Sequence, residues 1–331
     1  MNSKRSLRLA IPSSGALYEP TMMFLHSCGI SVSRSSSRTY AANMPSLPGI
    51  EVMFQRMADI SMTVEDGNAD MGIVGYDRFL ETIQEDGNSR VAIENLGFGH
   101  CDLVIGVPDS WIDVTSVADL SDLSMEFRET GAVLRIATKF PKLVERFLIK
   151  NGINYFSLAH SSGTLEAAPV MGYADIIADI SSSGTTLREN RLKTIDGGTI
   201  ITSDACLISN KASLRDNPFK LNLANQFVDI IDAYLQSRQY YSVTANMRAE
   251  TPEEVAKCIL DNPGISGLRG PTIAKVYTEN EEDWFAVTVI VEKARLMETI
   301  SHLRSIGSSS ATVSQLYYVF QAESLARANL S

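Results

Sequence analysis

The chain has 331 residues, of which 44% are hydrophobic and 21% charged, and its formal net charge is −10. This length exceeds what one hydrophobic core usually serves, so two or three structural units are expected. The acidic balance excludes nonspecific nucleic-acid binding, which needs clustered lysine and arginine. A polyanionic small substrate stays compatible with this charge if backbone dipoles, a few well-placed cations and Mg²⁺ neutralise it.

Cysteine and hydropathy patterns indicate an intracellular protein. No apolar run approaches the roughly 18 residues that a transmembrane helix requires. The N-terminal segment Met1–Arg5 leads into a strand-like run without an apolar targeting region. The four cysteines lie far apart and form no CxxC pair, which predicts reduced thiols. Together these features predict a cytoplasmic protein without a membrane partner.

Short runs rich in valine, isoleucine and leucine alternate with helical patterns over the first two thirds of the chain, which indicates βα units around parallel strands. The predicted strands are Leu7–Pro12, Glu51–Arg56, Met71–Val74, Cys101–Val107, Val133–Ala137, Ile176–Ile180 and Ala205–Ser209. Predicted helices include Thr21–Ser27, which ends near Gly29, and Pro141–Lys150, which has proline in its first turn. A longer helix, Phe219–Tyr234, is predicted because its apolar residues recur every three or four positions.

The order of predicted strands and helices changes after Ser237–Gln239, which we interpret as a hinge. From there the pattern predicts the order βαββαβ, which is typical of a small separate domain. The predicted bounds are Tyr241–Asn246, Pro252–Leu260, Thr272–Tyr277, Ala286–Val291, Ala294–Ile306 and Thr312–Phe320. The polar segment Asn280–Asp283 predicts an exposed hairpin between the two middle strands.

The segment Ser181–Thr186 contains only serine, glycine and threonine, and it follows the predicted strand Ile176–Ile180. We predict a helix that starts at Thr186. Small residues let the backbone approach a phosphate, the helix N-terminus adds a partial positive charge, and the hydroxyls supply further donors. Asp179 is badly placed by charge for the phosphate itself but well placed for sugar hydroxyls beside it. The segment therefore predicts a sugar-phosphate site.

The alternative interpretation of this segment is a polar turn that caps a helix. The loop lacks the Gly-Lys-Thr of a Walker motif and the GxGxxG of a dinucleotide-binding turn. By its spacing alone, it does not decide between the two interpretations. The four histidines suggest no Ser-His-Asp or Cys-His arrangement either.

Five further segments accompany the loop. They are Pro12–Leu17, Arg56–Ile60, Asp70–Asp77, Ile136–Pro141 and Ser162–Pro169. In this order, together with the loop, they resemble the ATP phosphoribosyltransferase family, and the likeness runs from Leu7 to Phe320. The resemblance implies transfer of the phosphoribosyl group from Mg²⁺-bound phosphoribosyl diphosphate to N1 of ATP, which is the first step of histidine biosynthesis.

The same resemblance implies an α/β fold with two lobes like those of periplasmic binding proteins and an active site between them. The first lobe would comprise residues 1–102 and 204–238, and the second residues 103–203. Residues 240–331 would form a ferredoxin-like, ACT-like regulatory domain that binds histidine as a feedback inhibitor. A homo-oligomer, from dimer to hexamer, is implied as well.

Carried over to this chain, the resemblance assigns residues to three sites, with no metal ligands named. The phosphoribosyl diphosphate site would comprise Thr164, Asp179, Ser182, Ser183, Gly184, Thr185 and Thr186. The catalytic residues would be Asp179, Lys139 and Glu166. The ATP side would comprise Gly15, Arg56, Asp59 and Thr138. The histidine site would comprise Asn246, Leu268, Gly270, Thr272 and Ser310.

Three positions depart from the family pattern. Relatives usually carry lysine in the first glycine turn, where this chain has Ser13–Ser14, and several carry a basic residue where it has Asp102. Both changes remove positive charge and would shift the burden of ATP binding to Arg38, Arg56 or Lys139. Asn246 stands where an acidic residue often meets the inhibitor's amino group, which predicts weaker histidine binding.

Two alternatives stay open beside this interpretation, and the missing lysine favours a subunit that has lost catalysis. The chain would be a noncatalytic small-molecule-binding protein or regulatory subunit on the same fold, and the C-terminal domain would be an oligomerisation module without a ligand.

Overall fold

The described part of the chain folds around three β-sheets. The computed structural model describes residues 6–34, 36, 39–160, 165–182, 184–262, 267–278 and 283–330. The strands are β1 (Leu7–Pro12), β2 (Ala41–Asn43), β3 (Ile50–Gln55), β4 (Met71–Gly75), β5 (Ser89–Ile93), β6 (Cys101–Pro108), β7 (Leu134–Thr138), β8 (Phe156–His160), β9 (Ile176–Ser181), β10 (Leu192–Ser203), β11 (Ala205–Asn210), β12 (Tyr240–Arg248), β13 (Thr272–Val276), β14 (Trp284–Glu292) and β15 (Ser308–Gln315).

Helices lie between these strands. They are α1 (Tyr18–Ser27), α2 (Met57–Glu65), α3 (Tyr76–Thr82), α4 (Val117–Glu129), α5 (Pro141–Lys150), α6 (Ala168–Met171), α7 (Thr185–Glu189), α8 (Lys211–Arg215), α9 (Pro218–Ser237), α10 (Pro252–Leu260), α11 (Leu296–Ser305) and α12 (Leu325–Ala328). None of them, within the described residues, is long and apolar enough to cross a membrane.

The first sheet has the strand order β2-β3-β1-β4-β11-β5. β1 pairs in parallel with β3 and β4, whereas β11 runs antiparallel to β4 and β5. The central strands β4 and β11 are buried along their whole length, because helices cover both faces of such a sheet.

The second sheet has the order β10-β6-β9-β7-β8. β7 is parallel to β8 and β9, and β6 runs antiparallel to β9 and β10. The chain enters this sheet at Cys101 and leaves it at Ser203, and these two residues pair with each other. The chain therefore passes from the first sheet to the second and back, and the predicted α/β class is confirmed.

The C-terminal part forms a third sheet with the order β13-β14-β12-β15. Its inner face carries Val243, Ala245 and Met247 from β12 against the helices, and this makes a core of its own. By its contacts, the chain divides into a unit Met1–Phe227 with Ala326–Ser331 and a second unit Val228–Leu325. The division falls inside α9, between two and three helical turns before the hinge expected at Ser237–Gln239.

The last predicted strand is displaced by several residues, whereas the bounds of the other predicted strands agree with the structure to within two residues. The last strand runs over Ser308–Gln315 instead of Thr312–Phe320, because Ser308 and Ser310 already pair with β12 and the chain leaves the sheet after Gln315. The helix predicted over Ala294–Ile306 is a short 3₁₀ turn followed by α11. Of the predicted hairpin, residues 280–282 lie outside the described part of the chain.

Candidate functional site

The carboxyl ends of the parallel strands in the second sheet carry the predicted catalytic residues. β7 and β9 run side by side in parallel, so Lys139 after β7 and the loop after β9 emerge at the same edge. A pocket of about 290 Å³ lies there. It is lined by Glu166, Asp179, Ile180, Ser181, Ser182, Gly184, Thr185, Thr186 and Leu187.

The segment Ser181–Thr186, which we call the phosphate loop, turns at Gly184. The φ of this glycine is +70°, in the left-handed region that favours glycine. The Gly184 N–H donates to Ser181 Oγ at 3.0 Å, which holds the turn closed. α7 starts at Thr185, one residue earlier than predicted. The hydroxyl-bearing Ser182 and Thr186 are exposed and line the pocket. The predicted site residues Thr164 and Ser183 lie outside the described part of the chain.

Arg188 was not singled out from the sequence, yet it lies at this loop. Its Nη2 donates to Thr185 Oγ1 at 3.3 Å, and its Nη1 lies 2.9 Å from where a Cβ on Gly184 would be. The position three residues after Thr185 on a helix is the available signal, since residues at that spacing share a face. The loop thus has a side-chain cation beside its hydroxyls.

Asp179 is half-buried at the end of β9, and its Oδ1 accepts the Ile180 N–H at 2.9 Å. Burial is the largest cause of a raised pKa at the Asp179 carboxyl, and Glu166 adds to it. The Ile180 hydrogen bond and the positive charges of Lys139 and Arg78 act in the opposite direction. Asp179 thus lies within electrostatic range of both cations and of the second carboxylate.

Asp179→Asn is expected to lower kcat/KM by about 10- to 100-fold, because a neutral acceptor binds ribose hydroxyls less strongly than a carboxylate. The thermal stability of the variant at neutral pH should increase. The folded protein holds the Asp179 proton more tightly than the unfolded chain, so the stabilisation that the side chain gives at low pH is lost as pH rises through the raised pKa. The variant should therefore melt at a higher temperature than the wild type at neutral pH and at the same temperature at low pH.

Calorimetry across this pH range, with kinetics on the same samples, measures both effects. Identical melting temperatures at every pH would contradict a raised pKa at Asp179.

Thr138 is the buried last residue of β7, and its hydroxyl both donates and accepts a hydrogen bond. Its Oγ1 donates to the Ala178 carbonyl at 2.8 Å and accepts the Phe140 N–H at 3.0 Å. The hydroxyl proton is thus used inside the second sheet, where it ties β7 to β9. Thr138 shapes the turn from which the half-buried Lys139 projects.

The other residues predicted for the ATP side lie on the first sheet. Gly15 follows β1 and Arg56 follows β3, and these strands are parallel neighbours, so both residues lie at one edge of the sheet. The Ser13 N–H donates to the Gln55 carbonyl at 2.7 Å and joins the two turns. Arg56 is exposed at the N-cap of α2, and Asp59 is exposed in the first turn of that helix. The phosphate loop, by contrast, belongs to the second sheet.

The C-terminal unit has a pocket of about 570 Å³. It is lined by Leu268, Arg269, Gly270, Thr272, Thr288, Ile290, Val319, Phe320, Gln321 and Ala322. Three residues of the predicted histidine site are therefore brought together. The other two residues do not line this pocket. Asn246 on β12 pairs with Ser310 on β15, and β14 separates β12 from Thr272 on β13. Arg269 is the cation at this pocket that sequence reasoning missed.

No group of three or more His, Cys, Asp or Glu side chains suited to a metal ion occurs among the described residues. Mg²⁺ usually takes only one or two protein carboxylates and completes its shell with substrate phosphates and water. The pocket at the phosphate loop offers the carboxylates of Glu166 and Asp179, and it fits that mode of binding.

An α/β fold that brings a small-residue loop, a half-buried aspartate and a lysine to one sheet edge is the arrangement expected of a protein that binds a phosphate ester. Comparison with known proteins narrows this class. The model of the ATP phosphoribosyltransferase family matches residues 56–239, and that of the HisG C-terminal domain matches residues 237–318. The chain belongs to the ATP phosphoribosyltransferase family.

Individual relatives agree with this assignment. The chloroplastic ATP phosphoribosyltransferase 1 of Arabidopsis thaliana is 37% identical over 323 residues, which cover 96% of this chain and 78% of the relative. The ATP phosphoribosyltransferase of Brucella anthropi is 42% identical over 64% of this chain and 93% of its own. A solved HisG:HisZ ATP phosphoribosyl transferase complex from Thermotoga maritima matches 68% of this chain and 96% of the solved chain, at 26% identity and a TM-score of 0.52.

Proposed function

We propose that the protein transfers the phosphoribosyl group from phosphoribosyl diphosphate to N1 of ATP, giving N1-(5-phosphoribosyl)-ATP and diphosphate in the first step of histidine biosynthesis. The observation that carries this proposal is the shared sheet edge that holds Lys139, Asp179 and the phosphate loop in a chain of this family. The cytoplasmic location predicted from the sequence is part of the proposal.

In the proposed reaction, the bond from the ribose anomeric carbon to diphosphate breaks and its electron pair leaves with the diphosphate. The lone pair of adenine N1 forms the new bond to that carbon. Positive charge gathers on the ribose ring meanwhile, so catalysis depends on positioning and electrostatics. The loop would hold the 5′-phosphate, Asp179 would accept hydrogen bonds from ribose hydroxyls, and the Lys139 ammonium would stabilise the leaving diphosphate.

We further propose that Mg²⁺ arrives with the diphosphate. Of the two carboxylates that line the pocket, Glu166 is the one not assigned to the ribose, so it is the protein oxygen ligand we assign to the metal. When bound, the metal supplies charge neutralisation to the leaving group.

Feedback inhibition by histidine is the regulatory part of the proposal. The pocket at Leu268, Gly270 and Thr272 is large enough to hold an amino acid, and Arg269 at its wall offers a partner for a carboxylate. Assembly of this chain into dimers and hexamers is proposed with it.

Asn246→Asp is expected to lower the histidine concentration for half-maximal inhibition by about tenfold, because a hydrogen bond from an ammonium to a carboxylate is stronger than one to an amide. The inhibitor's amino group has to reach Asn246 for this effect, and Asn246 lies outside the lining of the pocket at Thr272. Inhibition curves at fixed substrate concentrations measure this. Asn262→Asp, the same change after α10, is the matched control and should leave the curve in place. Equal curves for wild type and Asn246→Asp would remove Asn246 from the inhibitor site.

The experiment that tests the catalytic proposal is a spectrophotometric assay of the purified protein with ATP, phosphoribosyl diphosphate and Mg²⁺, followed by titration with histidine. Product formation that falls as histidine rises is the expected result. Binding of phosphoribosyl diphosphate without product would favour a noncatalytic subunit. Ser13–Ser14 is the observation behind this second candidate, because these residues replace a family lysine.

A further inference from the structure

Helix α3 of the first sheet contacts the second sheet at three places. The Asp77 N–H donates to Ser203 Oγ at 2.9 Å, and that hydroxyl donates to Asp77 Oδ1 at 2.8 Å. Leu80 packs against the cores of both sheets. Arg78 and Glu81 make further contacts to one short segment, which comprises the turn between β7 and α5 and the first turn of α5.

Arg78 binds this turn in two ways. Its guanidinium carbon lies 4.0 Å from the ring centroid of Phe140, and its Nη1 donates to the Lys139 carbonyl at 3.3 Å. Phe140 is fully buried in the core of the second sheet, so its ring is a fixed platform for the guanidinium. The two contacts together fix the chain at Lys139 and at the residue that follows it.

Glu81 completes the N-terminus of α5 from outside. Its Oε1 accepts the Lys142 N–H at 2.9 Å and its Oε2 accepts the Leu143 N–H at 3.0 Å. The residue at the N-cap, Phe140, provides no side-chain cap, and Pro141 has no N–H. A carboxylate that is only 8% exposed therefore takes the place of a local cap, with the favourable sign for a helix N-terminus.

We propose that Arg78 and Glu81 are positioning residues that fix, from the first sheet, the turn that carries Lys139 on the second. They set where the lysine ammonium meets the diphosphate. The inference rests on the catalytic role proposed above for Lys139. Neither residue contacts the reacting atoms in this assignment. Glu81 acts through the turn, and Arg78 acts through the turn while its charge also reaches Asp179.

The test is a double-mutant cycle. Arg78→Met and Glu81→Gln are made alone and in a Lys139→Met background, and kcat and KM are measured for both substrates. Arg78→Met alone should lower kcat by about 10- to 100-fold, as expected for a displaced catalytic group, with little change in KM. In the Lys139→Met background the loss should be much smaller, because no ammonium remains to be positioned and only the charge of Arg78 at Asp179 is left to remove.

Arg128→Met is the matched control. Arg128 lies over the Tyr155 ring with its guanidinium carbon 3.9 Å from the centroid, so this variant loses a similar stacking contact away from the turn. It should leave kcat unchanged. Arg78→Lys retains the charge but loses the planar stack, so it should stay impaired.

Losses that multiply in the double variants would overturn the proposal, because Arg78 or Glu81 would then act independently of Lys139. Full activity of Arg78→Lys would overturn it as well, since charge alone would suffice. Glu81→Gln keeps one acceptor for α5 and provides the same cycle if Arg78→Met folds poorly. A wild-type protein without turnover would contradict the proposed function itself, whereas multiplying losses in an active enzyme contradict only the positioning role.

Discussion

Gly184→Val is expected to lower kcat/KM by about 1,000-fold or more, since at least two donors of the phosphate loop would be misplaced and each such donor is worth about 100-fold. The loop turns at Gly184 with φ +70°, a conformation that costs an L-residue about 1–2 kcal/mol. Arg188 Nη1, at 2.9 Å from the added Cβ, is the end of a flexible side chain and can move aside. The backbone of the loop therefore has to change its conformation, and its N–H donors then no longer point at the phosphate.

Gly131→Val separates this effect from a loss of stability. Gly131 has φ +77° and nothing within 4 Å of an added Cβ, so the substitution carries a similar backbone cost at the end of α4. Steady-state kinetics and thermal melting on both variants give the comparison. Similar melting temperatures with activity lost only in Gly184→Val are expected. A Gly184→Val protein with wild-type activity would remove the loop from the substrate site.

Lys139→Met is expected to lower kcat by about 100- to 1,000-fold, the usual cost of removing one group that stabilises charge developing in the transition state. The half-buried lysine follows β7 at the edge shared with the phosphate loop, and its charge is felt at Asp179. KM for phosphoribosyl diphosphate should change much less, because the diphosphate gains negative charge only as the bond breaks.

Lys142→Met is the control for this prediction. Lys142 is exposed three residues further along the chain, in the first turn of α5, so its replacement removes the same charge close to Lys139. Its kcat should equal that of the wild type. A Lys139→Met variant with unchanged kcat and a raised KM would show that the lysine binds the ground state only.

Burial decided which strands could be predicted from the sequence. Leu7–Pro12 is found at its predicted bounds, as are the helices Pro141–Lys150 and Pro252–Leu260, which start with proline in the first turn. The strands that were missed in the first two sheets are β2, β5, β8 and β10. These are the edge strands of both sheets. An edge strand is less buried and carries more polar residues, so it lacks the continuous apolar run that marks a central strand.

The site was predictable only where its residues are close in sequence. The loop Ser181–Thr186 is one continuous segment, and its chemistry can be read directly. Arg78 and Glu81 lie 61 residues from Lys139 and Lys142, and no local pattern predicts such pairs. Thr138 shows the converse limit, because a polar residue type does not reveal that its hydroxyl proton is already used.

The place of β11 in the first sheet has a consequence for the order of folding during synthesis. β11 lies between β4 and β5 and is buried throughout, yet it follows the whole second sheet in the chain. The first sheet thus stays split until residue 210 has left the ribosome. The second sheet, whose ends Cys101 and Ser203 pair, acts as a preformed loop that brings β11 beside β5 at low entropic cost. The first sheet, although most of its strands are synthesised first, is therefore completed only after the second sheet has formed.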